Sequence, residues 1–121
     1  MAQGRLLVLD DDMTVAQILL MAAQGAGFEA RWCEDVPGFI EAIRTWDPTH
    51  VAVDLRMPGT QPEQVMQLLA DEQCRARIIV CSGAAPVDLQ AALAQAQALG
   101  LQVAGALAKP FRLVELRALL I

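Results

Sequence analysis

Val51-Ala52-Val53-Asp54-Leu55-Arg56-Met57-Pro58-Gly59 is the stretch on which the reading of this chain turns. Small and β-branched apolar residues lead into a lone carboxylate, and Met-Pro-Gly ends the run. That is the pattern of a buried strand stopping in an exposed turn. Asp54 is therefore expected at the rim of a sheet, where open α/β sheets place their ligands. A helix cap or turn residue is the plain alternative, and on this stretch alone the two readings stand level.

Working outward, the chain repeats the same alternation. Residues 5–9 form an apolar run closed by Asp10, Asp11 and Asp12, so the first strand reads as buried on both faces. Apolar residues then recur at Val15, Ile18, Leu19 and Ala22 with helical spacing. Asp12 or Thr14 is the expected N-cap, and Gly25 and Gly27 are the expected stop. Phe28–Cys33 reads as a strand, 36–45 as a helix with Pro37 in its first turn, and His50–Asp54 as the third strand. Thr60-Gln61-Pro62-Glu63 has the form of a capping box opening a helix with an apolar face of Val65, Leu68 and Leu69. A strand at 77–81, a helix at 86–99, a strand at Val103–Ala108 and a helix at Leu113–Leu120 complete five strand–helix pairs. Buried strands in strict alternation with helices imply a parallel sheet covered on both faces. The expected fold is α/β, a flavodoxin-like (βα)5 three-layer sandwich with strand order 2-1-3-4-5, and residues 1–121 read as one domain.

Composition narrows the function classes. At 55% hydrophobic and 19% charged the chain reads as globular rather than disordered. A net charge of -5 with no Lys/Arg cluster argues against direct nucleic-acid binding. Residues 89–108 match a membrane span in length, but their glutamines and glycines do not suit one, so no membrane partner is expected and the chain reads as soluble and cytoplasmic. Cys33, Cys74 and Cys81 are odd in number without a close pair, and read as buried free thiols in a reducing compartment.

The polar residues at the strand ends now gather. Asp10 and Asp11 follow the first strand, Asp54 the third, Ser82 the fourth and Lys109 the fifth. A parallel sheet puts all those ends on one edge, so residues distant in sequence converge on one crevice. Each taken alone fits a turn or a solvated charge; five at the same strand end do not. Three carboxylates within a few ångströms are mutually repulsive unless a cation joins them, and an all-oxygen donor set favours a hard ion such as Mg²⁺. Such a site suits phosphoryl transfer. Asp54 would be the nucleophile, Lys109 and the metal would neutralise phosphoryl oxygens, and Ser82 would donate a hydrogen bond.

Leu9-Asp10-Asp11-Asp12, Val53-Asp54-Leu55-Arg56-Met57-Pro58-Gly59, Val80-Cys81-Ser82-Gly83 and Lys109-Pro110-Phe111 together resemble the receiver domains of bacterial two-component response regulators. The resemblance runs over essentially the whole chain. It implies that Asp54 is the phosphoacceptor, that Asp10, Asp11, Asp54 and the Arg56 backbone carbonyl hold Mg²⁺, and that Ser82 and Lys109 are the family's hydroxyl and lysine. It also implies a cis Lys109-Pro110 bond, a sensor histidine kinase or small phosphoanhydride as phosphodonor, and an output domain or partner outside this chain. The protein would be a switch that handles its own phosphoryl group, not an enzyme acting on an external substrate.

Two departures accompany it. Most receivers carry an aromatic three residues before the lysine, where this chain has Ala106, and the stretch 87–103 reads as longer by about one helical turn. Nothing between Asp88 and Lys109 is charged, which fits either good helix formers or an uncharged docking face with room for a homodimer. Residues 99–111 are similar to receivers joined to EAL-type cyclic-di-GMP phosphodiesterase domains. His50, Trp32 and Trp46 read as structural, the tryptophans with their indole N–H groups near solvent.

Two rivals belong to other classes. Residues 6–15 also resemble the nucleophile motif of haloacid-dehalogenase-type phosphatases, with Asp10 as nucleophile and Asp12 as general acid/base, but that reading lacks a later acidic motif and leaves Asp54 without a role. A receiver-like interaction module independent of phosphorylation fits Ala106, yet would not require all five site residues.

Overall fold

The computed structural model describes residues 4–55, 57, 59, 61–82, 86–109 and 111–120, and at 62, 82 and 86–88 it describes the backbone alone. Its elements run β1 (Gly4–Leu9), α1 (Met13–Gly25), β2 (Phe28–Cys33), α2 (Val36–Trp46), β3 (His50–Asp54), α3 (Pro62–Asp71), β4 (Arg77–Ser82), α4 (Pro86–Ala98), β5 (Val103–Ala108) and α5 (Leu113–Leu120). The five strands form one parallel sheet in the order β2-β1-β3-β4-β5, as the alternation requires. Among the described residues no helix is long and apolar enough to cross a membrane.

Side-chain alternation along the strands feeds two cores. On one face Leu7, Leu9, Val51, Val53, Ile78 and Val80 pack against Phe39 and Ile43 of α2, Met66 and Leu69 of α3, and Ala92 and Ala96 of α4. On the other, Leu6, Val8, Ala52, Ile79, Cys81 and Leu107 meet Ala16 and Leu19 of α1 and Leu116 and Leu120 of α5. β1 and β3 are therefore buried almost throughout, while the edge strands β2 and β5 are only partly covered. β5 carries an irregularity: Ile78 pairs with Val103 and Ile79 with Gly105, so Ala104 is an extra residue on that strand. Gly105 lies close under α5, where an added Cβ would stand 2.7 Å from Leu119 Cδ2.

The helix boundaries follow local chemistry. Asp12 caps α1, its Oδ1 accepting the N–H groups of Thr14 at 2.9 Å and Val15 at 3.4 Å. Gly27 takes a φ of 88° just past the helix end. Asp35 caps α2 by accepting the Gly38 N–H at 2.9 Å. The capping box expected at Thr60 and Glu63 forms one residue later. Gln61 is the N-cap of α3, and Gln64 Oε1 accepts the Gln61 N–H at 3.2 Å. Pro62 explains the shift, because its fixed φ and missing N–H suit the first helical position.

Candidate functional site

Strand register sets the site. Leu9 lies beside Val53, so Asp10 and Asp54 follow neighbouring positions at the same edge. Asp54 pairs with Cys81, and Ser82 pairs with Ala108, which carries the chain to Lys109. Asp10, Asp11 and Asp54 each offer a carboxylate oxygen within 4.8 Å of the others. Asp10 and Asp54 are buried at 1% and 5% exposure, whereas Asp11 is exposed. Lys109 Nζ stands 3.2 Å from Asp10 Oδ2 and 3.6 Å from Asp54 Oδ2.

One ammonium thus faces two buried carboxylates, with a third at the rim. Burial pulls the Lys109 ammonium down, but attraction from Asp54 and then Asp10, with the hydrogen bond to Asp10, outweighs it and leaves the group above its ordinary range. Beneath them, burial pushes the Cys81 thiol up to about 12. It stays neutral and adds no charge to the site. The cluster retains excess negative charge on hard oxygen donors, which fits a small divalent cation.

Asp10 is held at every polar group. Its N–H donates to the Cys33 carbonyl at 3.3 Å, its Oδ1 accepts the Asp12 N–H at 2.9 Å, and its Oδ2 accepts from Lys109. Its backbone carbonyl accepts the Trp32 indole N–H at 2.7 Å. That contact corrects the expectation that the Trp32 N–H lies near solvent, and a tryptophan at the end of a neighbouring strand was its only sequence signal. Trp46 lies elsewhere, with the Arg31 guanidinium 4.6 Å from its ring centroid.

The remaining expected residues fall as follows. The Ser82 side chain, Arg56 and the Lys109-Pro110 bond lie outside the described residues. Asp12 caps α1 through its carboxylate and is not in the acidic cluster, contrary to the acid/base role that the phosphatase reading needs. Ala106 is exposed on β5 opposite Val80. His50 sits at the start of β3, at the sheet edge away from the carboxylates, edge-on to Phe28 at 5.2 Å and beside Thr49 Oγ1 at 3.0 Å. Cys33, Cys74 and Cys81 are free thiols, of which only Cys81 is fully buried. A cleft of about 320 Å³ opens beside the cluster, lined by Val15, Ile18, Lys109 and Phe111.

The family model for the response regulator receiver domain matches residues 6–121. The transcriptional regulatory protein FixJ of Bradyrhizobium diazoefficiens is 27% identical over 109 residues, covering 90% of this chain and 51% of its own length. The DNA-binding response regulator MtrA of Mycobacterium tuberculosis is 34% identical over 65 residues, 54% of this chain and 28% of MtrA. The chain thus spans about half, or less, of the length of these relatives. A Burkholderia pseudomallei response regulator, solved with a phosphorylated aspartic acid, calcium ion and citrate, is 25% identical with a TM-score of 0.81, covering 98% of this chain and 67% of that one. The chemotaxis response regulator CheY4 of Vibrio cholerae shares the fold at 21% identity and a TM-score of 0.76, covering 96% of this chain and 92% of its own.

Proposed function

We propose, from the fact that this chain belongs to the response regulator receiver domain family, that it is a phosphorylation-dependent switch in two-component signalling with Asp54 as the phosphoacceptor. The observation that carries this reading is the single lysine set against two buried carboxylates at the carboxyl edge of the sheet. An Asp54 oxygen attacks the phosphorus of a phosphohistidine or phosphoanhydride. The phosphorus–oxygen bond to Asp54 forms as the bond to the donor breaks, and the donor keeps that electron pair. Lys109 offsets the charge on the phosphoryl oxygens, and the Ser82 hydroxyl donates to one of them. Asp10, Asp11, Asp54 and the Arg56 carbonyl would hold Mg²⁺, which supplies further charge neutralisation when bound. The phosphorylated aspartate of the Burkholderia relative supports this chemistry.

The chain acts on its own phosphoryl group, added by a sensor histidine kinase and lost by hydrolysis, and turns over no other substrate. Phosphorylation adds negative charge at Asp54 and draws Ser82 and Lys109 toward it. With Ala106 in place of a ring, the change reaches partners through these residues and the uncharged α4–β5 surface. The output is a domain or protein outside these 121 residues, and the similarity of residues 99–111 favours an EAL-type phosphodiesterase.

Incubation with Mg²⁺ and acetyl phosphate, followed by intact mass, tests the assignment. One added phosphoryl group on the unchanged chain and none on Asp54→Asn is expected. Equal labelling of both would overturn Asp54 as acceptor. Unchanged partner binding by Asp54→Asn, with and without donor, would instead favour the phosphorylation-independent module.

A further inference from the structure

The Trp32 indole stands in for a rung of the sheet. β1 and β2 remain in parallel register as far as Leu9 opposite Cys33, and the Asp10 N–H still reaches the Cys33 carbonyl. In a continuing ladder the Asp10 carbonyl would take the N–H of residue 35, but the β1–β2 pairing ends at Leu9 and Cys33 and the chain turns into α2. The indole Nε1–H of Trp32 supplies that donor at 2.7 Å, from a half-buried ring packed on the α1 and α5 side. Without it, a carbonyl on a residue 1% exposed would lack this donor. The peptide so fixed is the one joining Asp10 to Asp11, so its orientation sets where the exposed carboxylate of the cluster departs from the strand.

We infer that Trp32 is a positioning residue of the acidic site: its indole N–H locks the Asp10–Asp11 peptide and makes the cation affinity of the cluster depend on the edge strand β2. The inference rests on the reading of the cluster as a divalent-cation site. Outer partners of metal ligands commonly tune affinity by one to two orders of magnitude. A partner acting through a backbone carbonyl is expected to do less. Nothing in composition or spacing marks this role, because the donor meets main chain rather than another side chain.

Calorimetric titration with Mg²⁺ alone on the unchanged chain, Trp32→Phe and Trp46→Phe tests it. Trp32→Phe keeps an aromatic ring and loses the donor, and its Mg²⁺ Kd should rise about three- to tenfold. Trp46→Phe should leave the Kd unchanged. In the Trp46→Phe protein, the one remaining indole N–H resonance should shift along the Mg²⁺ titration with the calorimetric midpoint, as a donor bonded to the Asp10–Asp11 peptide requires. A folded Trp32→Phe protein with unaltered Kd, or an indole resonance that stays fixed as Mg²⁺ saturates, overturns the inference while leaving the cation site standing. If Trp32→Phe does not fold, the resonance decides. No Mg²⁺ uptake by the unchanged chain would overturn the cation reading and this inference together.

Discussion

Lys109 and Asp10 lie 99 residues apart in the chain and 3.2 Å apart in space. Their contact bridges the end of β1 and the end of β5, with β3 and β4 between them in the sheet. It exists only when every intervening strand is in place, so the charge balance of the site is a product of the whole fold rather than of any one loop.

Replacing Lys109 by Met removes the ammonium that the buried Asp10 and Asp54 carboxylates share. A loss of about 2–3 kcal/mol at pH 7 is expected, below the range for fully buried pairs because the lysine side chain keeps 22% exposure. Urea midpoints in the absence of Mg²⁺ measure it, and added Mg²⁺ should recover part of the loss. An unchanged midpoint without Mg²⁺ would mean that solvent already screens the pair.

Asp12→Ala separates the cap from the chemistry. Loss of the bonds to the Thr14 and Val15 N–H groups should cost about 1 kcal/mol. Labelling of Asp54 by acetyl phosphate should persist, since Asp12 is not in the acidic cluster. Labelling lost at full stability would return Asp12 to the reacting site.

His50 sets part of the acid limb of stability. Burial, then the nearby Arg77, holds its imidazole below its ordinary range, and among the described residues its Nε2 is a buried atom with no hydrogen-bond partner. The unfolded chain therefore takes up a proton at about pH 6.5 before the native state does. The stability due to neutral His50 is complete above that pH and is lost as pH falls toward the depressed native value, by up to about 1.4 kcal/mol per pH unit. His50→Gln should flatten this limb below pH 6.5 in thermal unfolding. An equal slope in both proteins would assign the limb to the carboxylates.

Much of this arrangement was legible in the chain, and the reasons are local. The runs ending at Leu9 and Asp54 are apolar enough to be strands buried on both faces, and each carries its carboxylate to the same edge. Asp10, Asp11, Asp54 and Lys109 therefore gather from the sequence pattern alone. Trp32 does not, because a side chain bonded to a backbone carbonyl leaves no pattern of spacing. Thr60 and Glu63 satisfy the capping pattern one residue too early for α3, whose start is decided by Pro62 and Gln64. The irregularity in β5 is not read from the run Val103–Ala108; a glycine inside a strand is compatible with a bulge, but only the pairing with β4 shows the extra residue.

The extra residue Ala104 has an effect at a distance, through parity. Side chains on a strand alternate between the two faces of the sheet. Val103 packs on the α2–α4 side, and by unbroken alternation Gly105, Leu107 and Lys109 would follow it there. Counting Ala104 once without a partner reverses the sequence: Gly105 lies under Leu119, Leu107 joins the α1–α5 core, and Lys109 comes out on the side where Asp10 and Asp54 wait. One unpaired alanine thus chooses which face of the sheet receives the only ammonium paired with those carboxylates among the described residues.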